Sequence, residues 1–171
     1  MNKFNIIQGD CVEVMQDLID DNIKVDLIIT SPPYNIKDFH ANHIKYQNYN
    51  GNDMNEQKYQ LWQIHCLQLM YELLKDTGSL WYNHKVRIRK GKAIHPLEWI
   101  FQTDFILKQE IVWNQKKGAN VDKRRCFPFS ERIYWLTKKA NVKLFNQHNV
   151  KDVWDIVPTT NRKKNKHPAS A

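Results

Sequence analysis

Glycine is scarce in this sequence, and its five occurrences stand alone: Gly9, Gly51, Gly78, Gly91 and Gly118. None belongs to a G-x-G turn, the kind of turn at which a backbone approaches a bound cofactor closely. Long apolar runs are also missing, because no stretch could span a bilayer and the first residues lack the apolar segment of a signal peptide. These absences predict a soluble, cytoplasmic protein with no membrane partner and no glycine-rich cofactor turn.

Cysteine and acidic residues are limited as well. Cys11, Cys66 and Cys126 are odd in number and far apart, which argues against a disulfide framework or a zinc site and predicts reduced, buried thiols. No histidines stand at metal-ligand spacing either, so no metal is predicted. Basic residues outnumber acidic ones by 26 to 18, for a net charge of +8. That surplus favours a polyanionic partner such as nucleic acid, although many basic proteins bind none.

Apolar and aromatic residues are plentiful. The 171 residues are 42% hydrophobic and include six Trp, seven Tyr and seven Phe, enough for one domain with a real core. Strand candidates at 4–7 and 25–30 flank a helical stripe at 11–20, which together predict a βαβ unit. Residues 25–30 are nearly all apolar, a pattern typical of a strand covered on both faces in a parallel sheet.

The rest of the chain continues the alternation of strands and helices. Residues 37–55 are rich in asparagine and lack an apolar period, which predicts a long exposed loop. A helix is predicted to follow and to end near Asp76-Thr77-Gly78. The other predicted elements are a helix at 96–105 and strands at 79–83, 106–113 and 132–137. This order predicts an α/β domain with a mostly parallel sheet, in which ligands bind beyond the carboxyl ends of the strands.

The sequence Ser31-Pro32-Pro33-Tyr34 ends the second of these strands. The prolines lack the N–H groups that would extend the ladder, so they form a stiff corner. Such a corner holds the Ser31 hydroxyl and the Ser31 and Pro32 carbonyls in fixed directions, which suits an –NH2 donor. Tyr34 offers a flat face for a heteroaromatic ring. The plain alternative is a rigid turn with a packed tyrosine, but its place after a strand favours a functional site.

An exocyclic amine of a nucleobase is such a donor, and it is a poor nucleophile because its lone pair is delocalised into the ring. Hydrogen bonds that draw its protons toward fixed acceptors favour the pyramidal nitrogen that can attack a methyl donor. A base inside a duplex cannot reach the corner, so it must be flipped out of the stack.

The stretch Thr30-Ser-Pro-Pro-Tyr-Asn35 resembles the [DNS]-P-P-[YF] motif of the S-adenosylmethionine-dependent DNA amino methyltransferases. These enzymes modify adenine N6 or cytosine N4, as in restriction–modification. Residues 5–11 resemble the strand that precedes this motif in the β class, whose motif order is permuted. Residues 166–169 resemble the start of its K-x-HPA-x-FP motif. The resemblance covers nearly the whole chain and implies an incomplete Rossmann-like methyltransferase fold with a C-terminal antiparallel strand pair.

The resemblance also implies three groups of site residues. Ser31 and Pro32 would hold the target amine in the catalytic group, which also includes Pro33 and a base-stacking Tyr34. The cofactor group for S-adenosylmethionine comprises Asp10, Cys11, Thr30, His167 and Pro168, and Asp10 equally suits a helix N-cap. The contacts to double-stranded DNA would come from Asn35, Tyr46, Tyr49, Lys116, Lys117, Lys123, Arg124 and Arg125. Those basic residues equally suit a solvated face.

One family motif has no counterpart. The Asp-Pro-Phe-x-Gly-x-Gly-type cofactor loop, expected after the HPA motif, is absent from residues 1–171. The resemblance therefore implies that these residues form the target-base part of the domain, that the cofactor-binding part is missing, and that strand 25–29 has an unpaired edge. Two interpretations stay open: an enzyme that needs a second polypeptide for the missing part, or an inactive remnant that at most binds DNA. The choice between adenine and cytosine also stays open.

Overall fold

The computed structural model describes residues 4–35, 54–116, 125–145 and 149–157. These ranges contain three helices and seven strands. In chain order they are α1 (Cys11–Asp20), β1 (Val25–Thr30), α2 (Glu56–Leu73), β2 (Leu74–His84), β3 (Arg87–Arg89), β4 (Lys92–Ile94), α3 (Leu97–Ile100), β5 (Ile106–Asn114), β6 (Ser130–Thr137) and β7 (Val153–Asp155). None of the described helices is long and apolar enough to cross a bilayer.

Five strands form the main sheet in the order β1-β2-β6-β5-β7, and β3 pairs with β4 in a separate hairpin. The pairs β1–β2 and β5–β7 are parallel, whereas β2–β6 and β6–β5 are antiparallel. The α/β class and the antiparallel β5–β6 pair are confirmed, and the sheet is evenly mixed. Because β2 and β6 run in opposite directions, the ends of β1 and β2 lie at the same edge as the start of β6.

The core lies on the side of the sheet that α2 covers. Alternate residues of β2 point to this side, so Leu80, Tyr82 and His84 are fully buried. They pack with Tyr59 and Leu67 of α2, because one face of the helix carries large apolar side chains at helical spacing. This face of α2 also contacts the corner that follows β1, through Tyr59.

The opposite side of the sheet is open in the part of the chain that the structure describes. Trp81 stacks on Trp135 and Trp154, with ring centroids 5.7 and 5.8 Å apart. Beside this row lies an apolar depression of about 350 Å³ lined by Leu27, Ile29, Trp81, Asn83, Ile133 and Trp154. The prediction that β1 is covered on both faces is therefore wrong. Leu27 and Ile29 are 51% and 73% exposed.

The predicted strand at 4–7 does not form. Phe4 and Ile6 are 94% and 93% exposed, since β1 ends the described sheet and no neighbouring strand offers these residues a ladder. The unpaired edge predicted for 25–29 is confirmed by the position of β1 in that sheet.

Two helix ends differ from the prediction. Helix α2 stops at Leu73, and Gly78 lies inside β2 instead of terminating a helix. Its missing Cβ would stand 2.9 Å from the Asp26 carbonyl of β1, so the glycine serves strand pairing. Helix α3 is only one turn long. The Thr103 hydroxyl donates to the Ile100 carbonyl, and such a local side-chain hydrogen bond competes with continuation of the helix.

Candidate active site

The Ser31–Tyr34 corner lies where β1 ends, at the edge of the sheet shared with the end of β2. Thr30 is the last residue of β1 and pairs with Tyr82 of β2. The next two residues of β2, Asn83 and His84, therefore stand beside the corner. Ser31 is exposed and Tyr34 is half-buried, so neither side chain is enclosed in the core.

A polar cluster joins the corner to β2 and β6. The Ser31 hydroxyl lies 2.9 Å from the Tyr34 hydroxyl and donates to Asn83 Oδ1 at 3.1 Å. Tyr34 donates its single proton to Asn83 Oδ1 at 2.7 Å, with Glu131 Oε2 as a more distant alternative at 3.3 Å. Asn83 Nδ2 donates to the Arg132 carbonyl, which fixes the orientation of the amide. With both hydroxyl protons drawn to Asn83, the Ser31 oxygen keeps lone pairs for an external N–H donor.

The Tyr34 side chain is held on its other sides as well. Its ring lies 4.6 Å from the His84 ring and 5.4 Å from Lys85 Nζ. Burial and the Glu131 carboxylate raise the pKa of Tyr34 well above its usual range, so the hydroxyl stays a neutral donor at physiological pH. The structure thus gives Tyr34 a fixed orientation, in addition to the base-stacking role predicted for it.

A buried hydrogen-bond network formed by α2 and β2 holds the Pro33 backbone in place. The Pro33 carbonyl accepts the single proton of the Tyr59 hydroxyl at 2.6 Å, with His84 Nε2 as a competing acceptor of that proton at 2.8 Å. His84 Nδ1 faces the Lys85 carbonyl at 2.8 Å, so Nδ1 carries the ring proton. Burial lowers the pKa of His84 to about 3, which leaves the ring neutral. The corner is therefore positioned by α2 and β2, two elements distant from it in sequence.

Asn35 corrects one predicted DNA contact. The residue is fully buried, and its side chain accepts from the Met54 N–H and donates to the Met54 carbonyl, both at 2.9 Å. Its backbone takes a positive φ of 53°, which asparagine tolerates better than most residues. Asn35 thus ties residue 35 to residue 54 and has no face for DNA.

Three of the five predicted cofactor residues, Asp10, Cys11 and Thr30, lie in the part of the chain that the structure describes. Asp10 is the N-cap of α1, with Oδ1 accepting from the Val12 N–H at 2.8 Å, and this interpretation of Asp10 is confirmed. Thr30 is half-buried at the end of β1. His167 and Pro168 lie outside the described residues.

The cysteines also differ from the prediction. Cys11 and Cys126 are exposed and only Cys66 is buried, so the expectation of buried thiols holds for one of three. Cys11 and Cys66 interact across the α1–α2 contact, and this hydrogen bond lowers the pKa of the Cys11 thiol to about 7. Sequence separation hid the pairing because the two residues meet only when the helices pack.

Most of the predicted DNA contacts lie outside the described residues: Tyr46, Tyr49, Lys117, Lys123 and Arg124. Of the others, Arg125 is half-buried and Lys116 Nζ lies 3.6 Å from Asp155. The segment between Asn114 and Ser130 leaves and rejoins the sheet at the edge that carries the corner. The predicted basic segment therefore begins and ends at the same edge of the sheet as the corner, and its contacts with DNA stay a prediction.

Four residues of the cluster and its support were not predicted as site residues: Asn83, Glu131, Tyr59 and His84. Asn83 carried a usable signal, because it ends the strand predicted at 79–83 and strand ends share one edge in a parallel pair. The other three come from elements whose register against the corner is set by packing.

Comparisons with known proteins point to one family. A family model described as DNA methylase, of the N6/N4 type, matches residues 25–171. Among curated relatives, the Type II methyltransferase M.BglII of Bacillus subtilis is 29% identical over 151 residues, covering 85% of this chain and 38% of the relative. M.ScaI of Streptomyces caespitosus is 27% identical over 165 residues, covering 94% and 49%. The chain thus spans half or less of the length of these two relatives.

Solved structures agree on the fold. The PvuII DNA methyltransferase (cytosine-N4-specific) matches with a TM-score of 0.57 at 13% identity, covering 88% of this chain and 56% of that one. A complex of M1.HpyAVI with S-adenosylmethionine matches with a TM-score of 0.55 at 19% identity, covering 90% and 63%. The family model, the curated relatives and the fold agree: this chain belongs to the DNA methylase family of N6/N4 amino methyltransferases, whose methyl donor is S-adenosylmethionine.

Proposed function

We propose that the Ser31–Tyr34 corner holds the exocyclic amine of a flipped adenine or cytosine of double-stranded DNA during methyl transfer. The observation that carries the proposal is the polarity of the cluster. Asn83 Oδ1 accepts from both hydroxyls, so the exposed Ser31 oxygen is an acceptor aimed outward. A DNA partner also fits the basic surplus of the chain and a cytoplasmic location.

The residues of the corner have separate tasks in this reaction. Ser31 accepts an N–H of the amine, which concentrates the lone pair on nitrogen and directs it toward the incoming methyl. The prolines and the Tyr59–Pro33 hydrogen bond keep the acceptors still, so little reorganisation is needed at the moment of transfer. The amine nitrogen would take the methyl group from a sulfonium donor that leaves as a thioether, and one amine proton would go to solvent. S-adenosylmethionine supplies the activated methyl group when bound.

The described residues fit the target side of this reaction better than the cofactor side. Asp10 caps a helix, the strand expected before it is not formed, and residues 1–171 contain no G-x-G turn. The open sheet face and the exposed edge of β1 are where further secondary structure would pack. We therefore propose that transfer requires the cofactor-binding part of the fold, whether on a second polypeptide or on a longer chain.

The test is transfer of a labelled methyl group from S-adenosylmethionine to unmethylated duplex DNA. The chain is assayed alone and with a polypeptide carrying the glycine-rich cofactor part of a relative. We expect no transfer alone, and in the mixture N6-methyladenine or N4-methylcytosine on nucleoside analysis. Turnover by the chain alone would refute the need for the missing part. DNA binding without transfer in a mixture shown to form a complex would identify an inactive remnant.

A further inference from the structure

The hairpin formed by β3 and β4 lies next to the corner and has no role in the site described above. Residues 85–95 hold five lysines and arginines and no acidic residue. The five divide into two sets by exposure. Lys85, Arg87 and Arg89 are buried or half-buried, whereas Lys90 and Lys92 at the tip are exposed. The hairpin therefore combines an anchored base with a charged tip.

The two arginines attach the hairpin to α2. Arg87 makes a bidentate pair with the Glu56 carboxylate at 2.8 and 2.7 Å, and its guanidinium lies 4.7 Å from the Tyr59 ring. Arg89 Nε lies 3.6 Å from Glu56 Oε2. A bidentate pair with a buried guanidinium has a fixed geometry, so the hairpin is held firmly on the core.

At the tip of the hairpin, lysine occupies a turn position whose backbone conformation favours asparagine. Lys90 and Gly91 form the two-residue loop with φ of 48° and 78°, and a loop with both angles positive favours Asn-Gly. Lysine at the first position costs backbone energy that asparagine would largely avoid. Lys90 and Lys92 also make no ion pair with a described residue, so their charges are not neutralised within that part of the molecule.

The hairpin reaches the corner directly. Arg89 Nη2 donates to the Asn35 carbonyl at 2.6 Å, one residue after the corner. Lys85, just before β3, places Nζ 5.4 Å from the centre of the Tyr34 ring. Any duplex that delivers a flipped base to the corner must bring its backbone close to this basic hairpin.

We propose that the β3–β4 hairpin is a DNA-backbone clamp, in which Lys90 and Lys92 bind phosphates that flank the flipped base. The proposal rests on the proposed function, since it takes double-stranded DNA as the partner. Two lysine–phosphate contacts release condensed counterions, so they contribute an affinity that falls steeply with salt. They carry no base specificity.

The test measures duplex DNA binding by the intact chain through fluorescence anisotropy across a range of NaCl concentrations. The test variant is Lys90→Asn with Lys92→Gln. The control is Lys24→Gln with Lys75→Gln, which removes the same charge at the other end of β1, where Lys75 pairs with Asp26. We expect the hairpin variant to bind at least about tenfold more weakly near 0.1 M NaCl, with a log–log salt slope smaller by roughly 1.8. The control should keep nearly the wild-type slope.

The Lys90→Asn substitution also distinguishes a loss of DNA affinity from a loss of stability. Because Asn suits the positive φ at position 90, the thermal midpoint of the hairpin variant should stay equal or rise while affinity falls. Equal losses in the two variants would overturn the clamp and leave a general charge effect, with the proposed methyl transfer untouched. A wild-type chain that binds no duplex DNA would overturn the clamp and the DNA partner together.

Discussion

A hydroxyl in the corner acts as acceptor or donor according to where its one proton lies. Asn83 takes the protons of Ser31 and Tyr34, and its own N–H2 is held by the Arg132 carbonyl. Were the amide free to flip, it would offer N–H to the same hydroxyls and the outward polarity would reverse. The chemistry of the site thus depends on a residue of β2 that touches no substrate in the proposed reaction.

His84 makes the support of the corner sensitive to pH. In the unfolded chain its imidazole takes a proton near the ordinary pKa of 6.5, whereas burial lowers the folded pKa to about 3. Between these values protonation favours the unfolded chain. The free energy of unfolding should therefore fall as pH drops from 6.5 toward 3, by at most about 1.4 kcal/mol per pH unit from this residue.

Urea unfolding at several pH values measures the effect, with His84→Gln as the comparison. The absolute stability of the variant will differ because the Tyr59 contact is lost, so the slopes are compared. A His84→Gln profile as steep as the wild type between pH 6.5 and 4 would show that other groups dominate. That result would contradict the assignment of a neutral, buried His84 imidazole to the folded protein.

Some residues of the site could be predicted from local sequence patterns, and others could not. Ser31 and Tyr34 were identified because the prolines and the strand before them are local signals. Asn83 and Glu131 join them through the registers of β1–β2 and β2–β6, and register depends on packing that no local pattern encodes. Asn35 was predicted on DNA because it follows the motif, but its burial depends on Met54, 19 residues away.

Among the elements, β1 and β2 decide where the corner stands. Their pairing skips from Val25–Leu74 to Leu27–Ser79, so β2 bulges opposite Asp26. Gly78 makes the bulge possible, because an added Cβ would lie 2.8 Å from the Leu74 side chain and 2.9 Å from the Asp26 backbone. The carbonyl cannot move without moving β1.

Gly78→Ala should consequently destabilise the protein by roughly 1–3 kcal/mol, the usual cost of overpacking a tight contact. The matched control is Gly91→Ala, where no atom lies within 4 Å of the new Cβ but φ is 78°. Its cost should be about 1 kcal/mol from backbone strain alone. Chemical unfolding of both variants measures the difference, and a harmless Gly78→Ala would show that the β1–β2 register is looser than described.

Most long elements were predicted well, with the first half of β2 as the exception, and the short elements were not. Helix α1 and strands β1, β5 and β6 carry enough residues to show a period. The hairpin β3–β4 and strand β7 have strands of three residues, too short for any alternation to be read. The strand expected at 4–7 failed for the opposite reason: its apolar pattern is clear, but a strand needs a neighbour.

In the part of the molecule that the structure describes, the sheet edge at the corner is polar and the sheet face behind it is apolar and open. Helix α2 covers one face of the sheet. Leu27, Ile29 and the stacked tryptophans lie on the other face, which no described helix covers. An exposed apolar face of this kind marks an interaction surface. Because the chain spans half or less of the length of M.BglII and M.ScaI, we propose that a further part of the methyltransferase fold covers this face.

The most direct measurement of the account is single-turnover methyl transfer by the complemented protein, comparing wild type with Ser31→Ala. If the Ser31 oxygen accepts from the target amine, the chemical step should slow by about 10²-fold or more while DNA affinity changes by less than about twofold. The matched control Ser79→Ala lies in the middle of β2, where the Ser79 hydroxyl accepts from Trp135 Nε1, and this variant should keep the rate. A Ser31→Ala protein that transfers methyl groups at the wild-type rate would contradict the proposed role of the corner.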